Sequence, residues 1–220
     1  MTQAAALHLA HWLSPAFPTG AFAYSHGLEQ VIARGEVTDA AGLERWLGHV
    51  LRFGGGWQDA VIVSLGLRPG ADPAALDALT RALQPSAERL LESCEQGAAF
   101  ARVIGQITDQ DSDRNSAAPP PDHCLPVAVA QAARRLGLPP ADVIAAYLQA
   151  FATNLVSIAI RHVPLGQGEG HAVLARLLAL LPDLAARAAR AGMDDLGNSC
   201  LGADMAAFEH ETKDIRLFRT

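Results

Sequence analysis

The sequence of 220 residues predicts an all-α protein, a single globular helical bundle, and three observations support this fold class. Large apolar residues recur at the three- and four-residue spacing of amphipathic helices through most of the chain. Glycine and proline residues, which end helices, separate these segments. No run of alternating β-branched residues with hairpin turns interrupts them. At this length one domain is the usual organisation, so we expect a single domain over residues 1–220.

The first two clear amphipathic helices begin at capping residues. Thr38 or Asp39 caps the first helix, residues 54–56 (G-G-G) end it, and its stripe is Leu43, Trp46, Leu47, Val50 and Leu51. The second helix starts at Asp72-Pro73, where a cap precedes proline at the first helical position. Its stripe is Leu76, Leu79 and Leu83.

The middle of the chain contains one interruption. A longer helix has the stripe Leu90, Cys94, Gly97, Ala101 and Ile104. Residues 108–123 are then polar, later proline-rich, and without a periodic apolar set, which predicts a mobile surface loop. Helical spacing resumes near Pro126 and ends at Gly137, before a short turn at residues 138–140.

The segment 143–160 is the longest apolar stretch, with 18 residues and no charge, the lower limit for a membrane-spanning helix. Asp142 and Arg161 bound it closely, and it contains four polar side chains: Gln149, Thr153, Asn154 and Ser157. Its apolar residues lie on all sides of the helix, which is typical of burial against several neighbours. We therefore predict a buried central helix, ended by Pro164, and no membrane association.

Two further helices follow a glycine-rich segment at residues 166–170. This G-Q-G-E-G sequence follows a helix, whereas a phosphate-binding loop follows a strand, so we predict a turn that needs positive φ. The next helix has the stripe Val173, Leu174, Leu177 and Leu178, and Pro182 ends it. A short helix with Leu184, Ala188 and Ala191 on one face then closes at Gly192.

Composition excludes several classes of protein. The net charge is −6, and only short basic pairs occur, which disfavours binding to nucleic acid or to anionic lipid. Three distant cysteines without a C-x-x-C motif suit a reducing compartment. The first residues lack the basic-then-apolar pattern of a signal peptide. We expect a cytoplasmic protein.

Histidines offer only weak candidates for a metal site. His8 and His11 share one helical face, and His123 precedes Cys124, but neither pair is a complete ligand set. His210-Glu211 lacks the second histidine of H-E-x-x-H. The sequence therefore predicts no metal site, and a small metal-dependent hydrolase is the alternative function.

Catalytic motifs are also missing from the sequence. Ser25-His26 is not part of a G-x-S-x-G motif, and we interpret Ser25 as a helix N-cap with Glu29 in the first turns. The sequence G-x-x-x-x-G-K-[ST] does not occur, so the chain carries no phosphate loop of that type. We predict that the chain is not an enzyme and has no catalytic residue.

The tail, residues 203–220, is unusually apolar for the end of a sequence. Its large apolar residues alternate with charges, and they are Met205, Phe208, Ile215, Leu217 and Phe218. Such a segment either packs on its own domain or binds a partner. We expect partner binding, with Phe208, Leu217 and Phe218 as anchors and with Arg216 and Arg219 orienting the segment. Removal of residues 206–220 would then leave the fold intact.

Three segments together resemble the UreF family of urease accessory proteins, over essentially the whole chain. Residues 14–29 read S-P-A-F-P-T-G-A-F-A-Y-S-H-G-L-E, residues 147–167 end in R-H-V-P-L-G-Q, and residues 210–220 read H-E-T-K-D-I-R-L-F-R-T. The positions that carry the first two motifs are Pro18, Gly20, Ser25, Gly27, Glu29, Asn154, Pro164, Gly166 and Gln167.

The resemblance implies a function in nickel insertion into apo-urease. It implies a homodimer that bridges a UreD/UreH-type accessory protein and a UreG-type nickel GTPase, in an assembly that docks on apo-urease. The chain would control when the GTPase acts, or line a route for the ion. Nickel would be handled transiently, with no permanently bound cofactor. The tail residues that would bind the UreD/UreH-type partner are Phe208, His210, Glu211, Arg216, Leu217, Phe218 and Arg219.

Overall fold

The computed structural model describes residues 3–108 and 122–220, and these ranges contain helices and no β-strand. The helices are α1 Gln3–Trp12, α2 Leu28–Ala33, α3 Ala40–Phe53, α4 Gly55–Leu67, α5 Pro73–Ala82, α6 Ala87–Thr108, α7 Leu125–Arg134, α8 Pro140–His162, α9 Gln167–Leu178, α10 Leu181–Ala188 and α11 Leu201–His210. The prediction of an all-α fold is confirmed. The loop predicted at 108–123 falls almost wholly outside the described residues.

Helices α4 and α8 lie at the centre of the fold. Helix α8 packs against α2, α3, α4, α9 and α10, while α4 packs against α3, α5, α7, α8 and α10. Helix α6 packs on α7, and α11 packs on α2. Because α8 has neighbours on several sides, its all-round apolar sequence is explained by the core. In the described ranges, α8 alone is long and apolar enough to cross a membrane by length and composition.

Two predicted helix starts are confirmed in detail. The Asp39 carboxylate accepts a hydrogen bond from the amide of Gly42 at 2.7 Å, so Asp39, and not Thr38, caps α3. Asp72 accepts hydrogen bonds from the first amides of α5, and Pro73 occupies the first position of that helix. These caps satisfy amides that have no partner within the helix.

Helix α4 has no counterpart among the predicted elements. The sequence indicated only an end of α3 at residues 54–56, whereas the chain bends at Gly54 and a new helix starts at Gly55. A Cβ atom at Gly56 would lie 2.9 Å from the Cα of Leu51, so the tight bend requires glycine there. Helix α4 is buried on nearly every side, and therefore its sequence has no polar face to give a helical period.

The glycine-rich segment 166–170 differs from its prediction. None of its glycines has positive φ, and α9 already starts at Gln167. Gly170 instead allows close packing of α9 on α8, because a Cβ atom there would lie 2.3 Å from Cδ1 of Ile160. The predicted turn with positive φ is therefore wrong, and the requirement is for small size. The short helix α10 also ends earlier than predicted, at Ala188 and not at Gly192.

Candidate functional site formed by the N-terminal motif and the tail

The first family motif forms an irregular segment that receives the tail. Two successive residues, His26 and Gly27, have left-handed backbone conformations, with φ of 58° and 78°. A Cβ atom on Gly27 would lie 3.1 Å from the amide nitrogen of Ala207, so glycine lets α11 approach the start of α2. This turn brings residues 24–29 against the last ten residues of the chain.

Glu29 is the main acceptor for the tail. Its side chain is buried, with a residue exposure of 1%. Its carboxylate accepts hydrogen bonds from the amides of Leu217 at 3.0 Å and Phe218 at 2.9 Å. The Nζ atom of Lys213 lies 3.2 Å from the same carboxylate. One carboxylate therefore fixes both the backbone and a side chain of the tail.

His210 connects this carboxylate to a second one. The imidazole is completely buried, with Nε2 lying 3.2 Å from Glu29 and Nδ1 lying 2.7 Å from Glu88. Both nitrogens can donate at once only when the ring carries two protons. Arg216 also pairs with Glu88 and donates to the carbonyl oxygen of Glu211. His210 is thus an internal bridge between α2, α6 and α11.

The last residues of the tail are fixed by a further set of bonds. The amide of Ser25 donates to the carbonyl oxygen of Thr220 at 3.0 Å, and the Ser25 hydroxyl donates to the same atom. The Thr220 hydroxyl donates to Glu92 at 2.8 Å and accepts from the amide of His26 at 3.1 Å.

Arg219 binds Glu95 on α6, the helix that also carries Glu92. Its guanidinium donates to Glu95 at 2.5 and 3.0 Å and to the hydroxyl of Tyr24 at 2.8 Å.

The prediction that Ser25 caps a helix is met in one respect, because the Ser25 hydroxyl accepts a hydrogen bond from the amide of Glu29 at 3.2 Å. The residue at the N-cap position of α2 is nevertheless Gly27.

In the structure the tail therefore packs on its own chain, through its backbone and its charged groups. The packing argues against the expectation that residues 206–220 can be removed without loss of the fold, because their removal would leave the buried carboxylate of Glu29 without partners. Of the proposed partner-binding residues, His210 is fully buried and cannot touch another protein in this conformation. Phe208 and Leu217 remain exposed, at 53% and 68%.

The electrostatics of the site follow from burial and from this bonding. Burial alone raises the pKa of Glu29, but the amides of Leu217 and Phe218 with His210 and Lys213 lower it to about 2. Burial likewise opposes ionisation of Glu92, and the cation of Arg89 with His26 lowers its pKa to about 2. Both carboxylates stabilise the fold fully above about pH 4.5, and this contribution is lost as the pH falls towards 2.

A cavity of about 320 Å³ lies beside this network. The segment from Trp12 to Phe22 covers it, and α6 and α8 form its walls. Its lining includes the buried polar side chains of His26, Asp59, Arg89 and Glu92. Pro18 and Gly20 of the first motif line the cover, and the side chain of Asn154 on α8 donates to the carbonyl oxygen of Ala21 at 3.0 Å. The second motif therefore holds the first in place.

The buried carboxylate of Asp59, which lines this cavity, lowers the free energy of unfolding at neutral pH. Burial raises its pKa to about 6, although the hydroxyl of Tyr147 donates to it at 2.7 Å. We expect Asp59→Asn to increase the free energy of unfolding by about 1–3 kcal/mol at pH 8, because asparagine accepts the same hydrogen bond without charge. The difference should shrink as the pH falls from about 6 to about 4, where the aspartate is protonated.

Urea denaturation at several pH values measures this effect, and Asp72→Asn provides the control. Asparagine caps helices as well as aspartate, so the control should change stability by less than about 0.5 kcal/mol at every pH. An Asp59→Asn variant less stable than the parent at pH 8 would show that the ionised carboxylate has a stabilising partner.

Some predicted residues lie elsewhere, and some residues of the site were not predicted. Pro164 and Gly166 lie in the connection between α8 and α9, and Gln167 is the first residue of α9. The amide of Gly166 donates to Glu169 at 3.0 Å. The carboxylates of α6 that receive the tail were missed. A signal for them exists in the sequence, since Glu88, Glu92 and Glu95 follow the spacing of one helical face.

The histidine pairs of the sequence do not form a metal site in the described ranges. His8 and His11 lie beside the rings of Trp12 and Phe17, and no group of three or more potential ligands is found in residues 3–108 and 122–220. The alternative of a metal-dependent hydrolase thus has no ligand set in this part of the chain.

The site defines a helical protein in which the motifs named above hold the tail against the start of α2 and enclose a cavity. Comparison with known proteins is specific: the UreF family model matches residues 37–178. A protein of Cereibacter sphaeroides named "Urease accessory protein UreF" is 54% identical over 99% of both chains. Proteins of the same name from Paracoccus denitrificans and Roseobacter denitrificans are 50% and 45% identical; the alignments cover 99% and 100% of this chain and 97% and 96% of theirs. The chain belongs to the UreF family of urease accessory proteins.

Proposed function

We propose that this chain acts in nickel insertion into apo-urease, as a scaffold between a UreD/UreH-type accessory protein and a UreG-type nickel GTPase. The proposal includes a homodimer in the cytoplasm, regulation of the GTPase, and transient handling of nickel without a permanent cofactor. It also includes the absence of catalytic activity in the chain itself. The names of its relatives as urease accessory proteins support an assisting function.

An exposed apolar face carries this proposal. Leu201, Met205 and Phe208 follow each other at four- and three-residue spacing along α11, and all three are exposed. Ile215 and Leu217 of the docked tail are exposed as well, at 81% and 68%. Large apolar side chains gathered in one part of the chain are typical of a surface that binds another protein. We assign the UreD/UreH-type partner to this surface.

The docked tail makes such binding more favourable. Backbone bonds to Glu29 and to Ser25 already order residues 217–220 before any partner arrives. A partner that binds the exposed side chains therefore loses less conformational entropy than it would with a disordered tail. Internal pairing of Arg216 and Arg219 also means that the apolar side chains, and not these cations, supply the contact.

The test uses a double variant, Met205→Asp/Phe208→Asp, co-expressed with the other urease maturation proteins. Because both side chains are exposed, the variant should fold, while two charges in an apolar interface should abolish capture of the UreD/UreH-type partner. A reduction in pull-down yield of at least about tenfold is expected. Leu7→Asp on α1 is the matched control, since Leu7 is equally exposed in another part of the fold.

Light scattering of the same variants distinguishes a loss of partner binding from a loss of the homodimer. The parent and both variants should have the mass of two chains, so that a loss of partner capture cannot be attributed to a lost homodimer. Normal capture by a folded double variant would contradict the assignment of this surface. Nucleotide turnover by the purified chain alone would contradict the absence of catalytic activity.

A further inference from the structure

Two cysteines far apart in the sequence are in contact in the structure. The sulfur atoms of Cys94 on α6 and Cys124 at the start of α7 lie 3.8 Å apart. Cys124 is buried, whereas Cys94 is partly exposed. A disulfide bond has a sulfur–sulfur distance of about 2.05 Å, so closing it requires an approach of less than about 2 Å. Their separation in the sequence did not predict this contact.

The backbones are also close at this point. Gly97 lies one helical turn after Cys94, and a Cβ atom on it would lie 1.9 Å from the carbonyl oxygen of His123 and 2.7 Å from the carbonyl carbon of Cys124. Helix α6 therefore touches the main chain of residues 123–125 directly. A disulfide needs Cα atoms about 4.4–6.8 Å apart, and backbone contact between the two segments favours a separation of this size.

Two side chains of α5 hold both cysteines in place. Asp77 accepts a hydrogen bond from the amide of Cys124 at 2.6 Å, and it pairs with Arg81 at 2.6 Å. Arg81 in turn donates to the sulfur of Cys94 at 3.0 Å and to the carbonyl oxygen of Asp122 at 2.6 Å. A guanidinium against a sulfur atom favours the thiolate form, which is the reactive one.

We propose that Cys94 and Cys124 form a reversible disulfide when the protein meets a hydroperoxide. The thiolate of Cys94 attacks the peroxide oxygen, which breaks the O–O bond and gives a sulfenic acid and one molecule of water or alcohol. Cys124 then attacks the sulfur of the sulfenic acid, and the hydroxyl group leaves as water. Together the two thiols lose two protons and two electrons, which reduce the peroxide to two molecules of water, or to one of alcohol and one of water.

The roles of the two thiols follow from their surroundings. Burial raises the pKa of both thiols, and it does so more strongly for Cys124, where the neighbouring Cys94 and Asp77 add to the effect. Arg81 opposes the increase at Cys94. The partly exposed Cys94 is therefore the residue that a peroxide reaches and oxidises first, and Cys124 is the residue that resolves the sulfenic acid.

The experiment treats the purified full chain with hydrogen peroxide and then counts thiols after denaturation. We expect the count to fall from three to one and the mass to fall by about 2 Da, with full reversal by a thiol reductant. Digestion with trypsin should yield peptide 90–102 joined to the peptide that contains Cys124. This measurement needs no variant, so it does not depend on whether a substituted protein folds.

Single variants complete the test. Cys200→Ala should retain the cross-link, because Cys200 lies at the start of α11 and belongs to neither helix of the pair. Cys94→Ala should abolish it. Three free thiols after treatment, a cross-link that includes Cys200, or sulfinic acid at Cys94 without any cross-link would each overturn the proposal.

Discussion

Removal of residues 206–220 is expected to lower the free energy of unfolding by roughly 5 kcal/mol or more, which is a large part of the stability of an ordinary domain. The truncation takes away His210, Lys213 and the two amides that satisfy Glu29, a carboxylate that is only 1% exposed. It also takes away Thr220, which bonds to Glu92. Buried carboxylates left without partners are among the most costly changes that a fold can suffer.

Urea denaturation followed by circular dichroism measures the effect, and Ile215→Ser and Leu217→Ser are the matched controls. Both side chains are exposed, and the backbone bonds of the tail do not depend on them, so each control should change stability by less than about 0.5 kcal/mol. A truncated protein with the stability of the parent would show that the tail does not support the fold.

Gly97→Ala is expected to produce the second large effect, a loss of about 3 kcal/mol. The added Cβ atom would collide with the backbone of residues 123–125, which cannot move aside as the end of a flexible side chain can. Alanine normally stabilises a helix interior by up to about 1 kcal/mol relative to glycine, so the expected sign is the reverse of the intrinsic preference. Helices α6 and α7 would have to separate.

Gly168→Ala on α9 is the control for this substitution. Apart from its chain neighbours and the backbone of α9, no atom of the described residues lies within 4 Å of the position where its Cβ would be, so the change should be neutral or slightly stabilising. Thermal or urea denaturation compares the two variants under one condition. If Gly97→Ala were as stable as Gly168→Ala, the close approach of α6 to residues 123–125 would not exist in solution, and the geometry behind the Cys94–Cys124 disulfide would be lost with it.

The tail thus has two sets of groups: one binds the rest of the chain, and the other is available to a partner. Its backbone and charged groups bind Glu29, Glu88, Glu92 and Glu95 of the same chain, as the distances of the site describe. Four of its large apolar side chains, those of Met205, Phe208, Ile215 and Leu217, are exposed, whereas Phe218 packs against the core. Variants that change stability and variants that change partner binding can therefore be chosen separately, which makes the proposed function testable without unfolding the protein.

Several elements could be predicted because the information for them is local. Asp39 and Asp72 lie next to the amides that they cap, and the stripe of α3 lies within one helix. The family could be recognised for the same reason, since each motif is a continuous segment. The burial of α8 followed from its 18-residue stretch without a charge, whose apolar residues reach several sides of the helix.

Other elements could not be predicted because the signal is distributed over distant residues. Helix α4 is buried on nearly all sides, and so it lacks the period by which an amphipathic helix is recognised. At residues 166–170 the glycine pattern is compatible either with a turn or with close packing, and only the position of Ile160 distinguishes them. Glu29 was interpreted as a charge in the first turn of a helix, although its partners lie more than 180 residues away.

The sequence by itself determined the helical class, the start of α5 at Asp72-Pro73 and membership of the UreF family. The tertiary structure alone decided that the tail packs on its own chain, that Asp59 is a costly buried acid, and that Cys94 meets Cys124. The physical reason is the range of the interactions. Periodicity and capping act within a few residues, whereas the burial of a charge or the contact of two sulfur atoms exists only after distant segments have packed together.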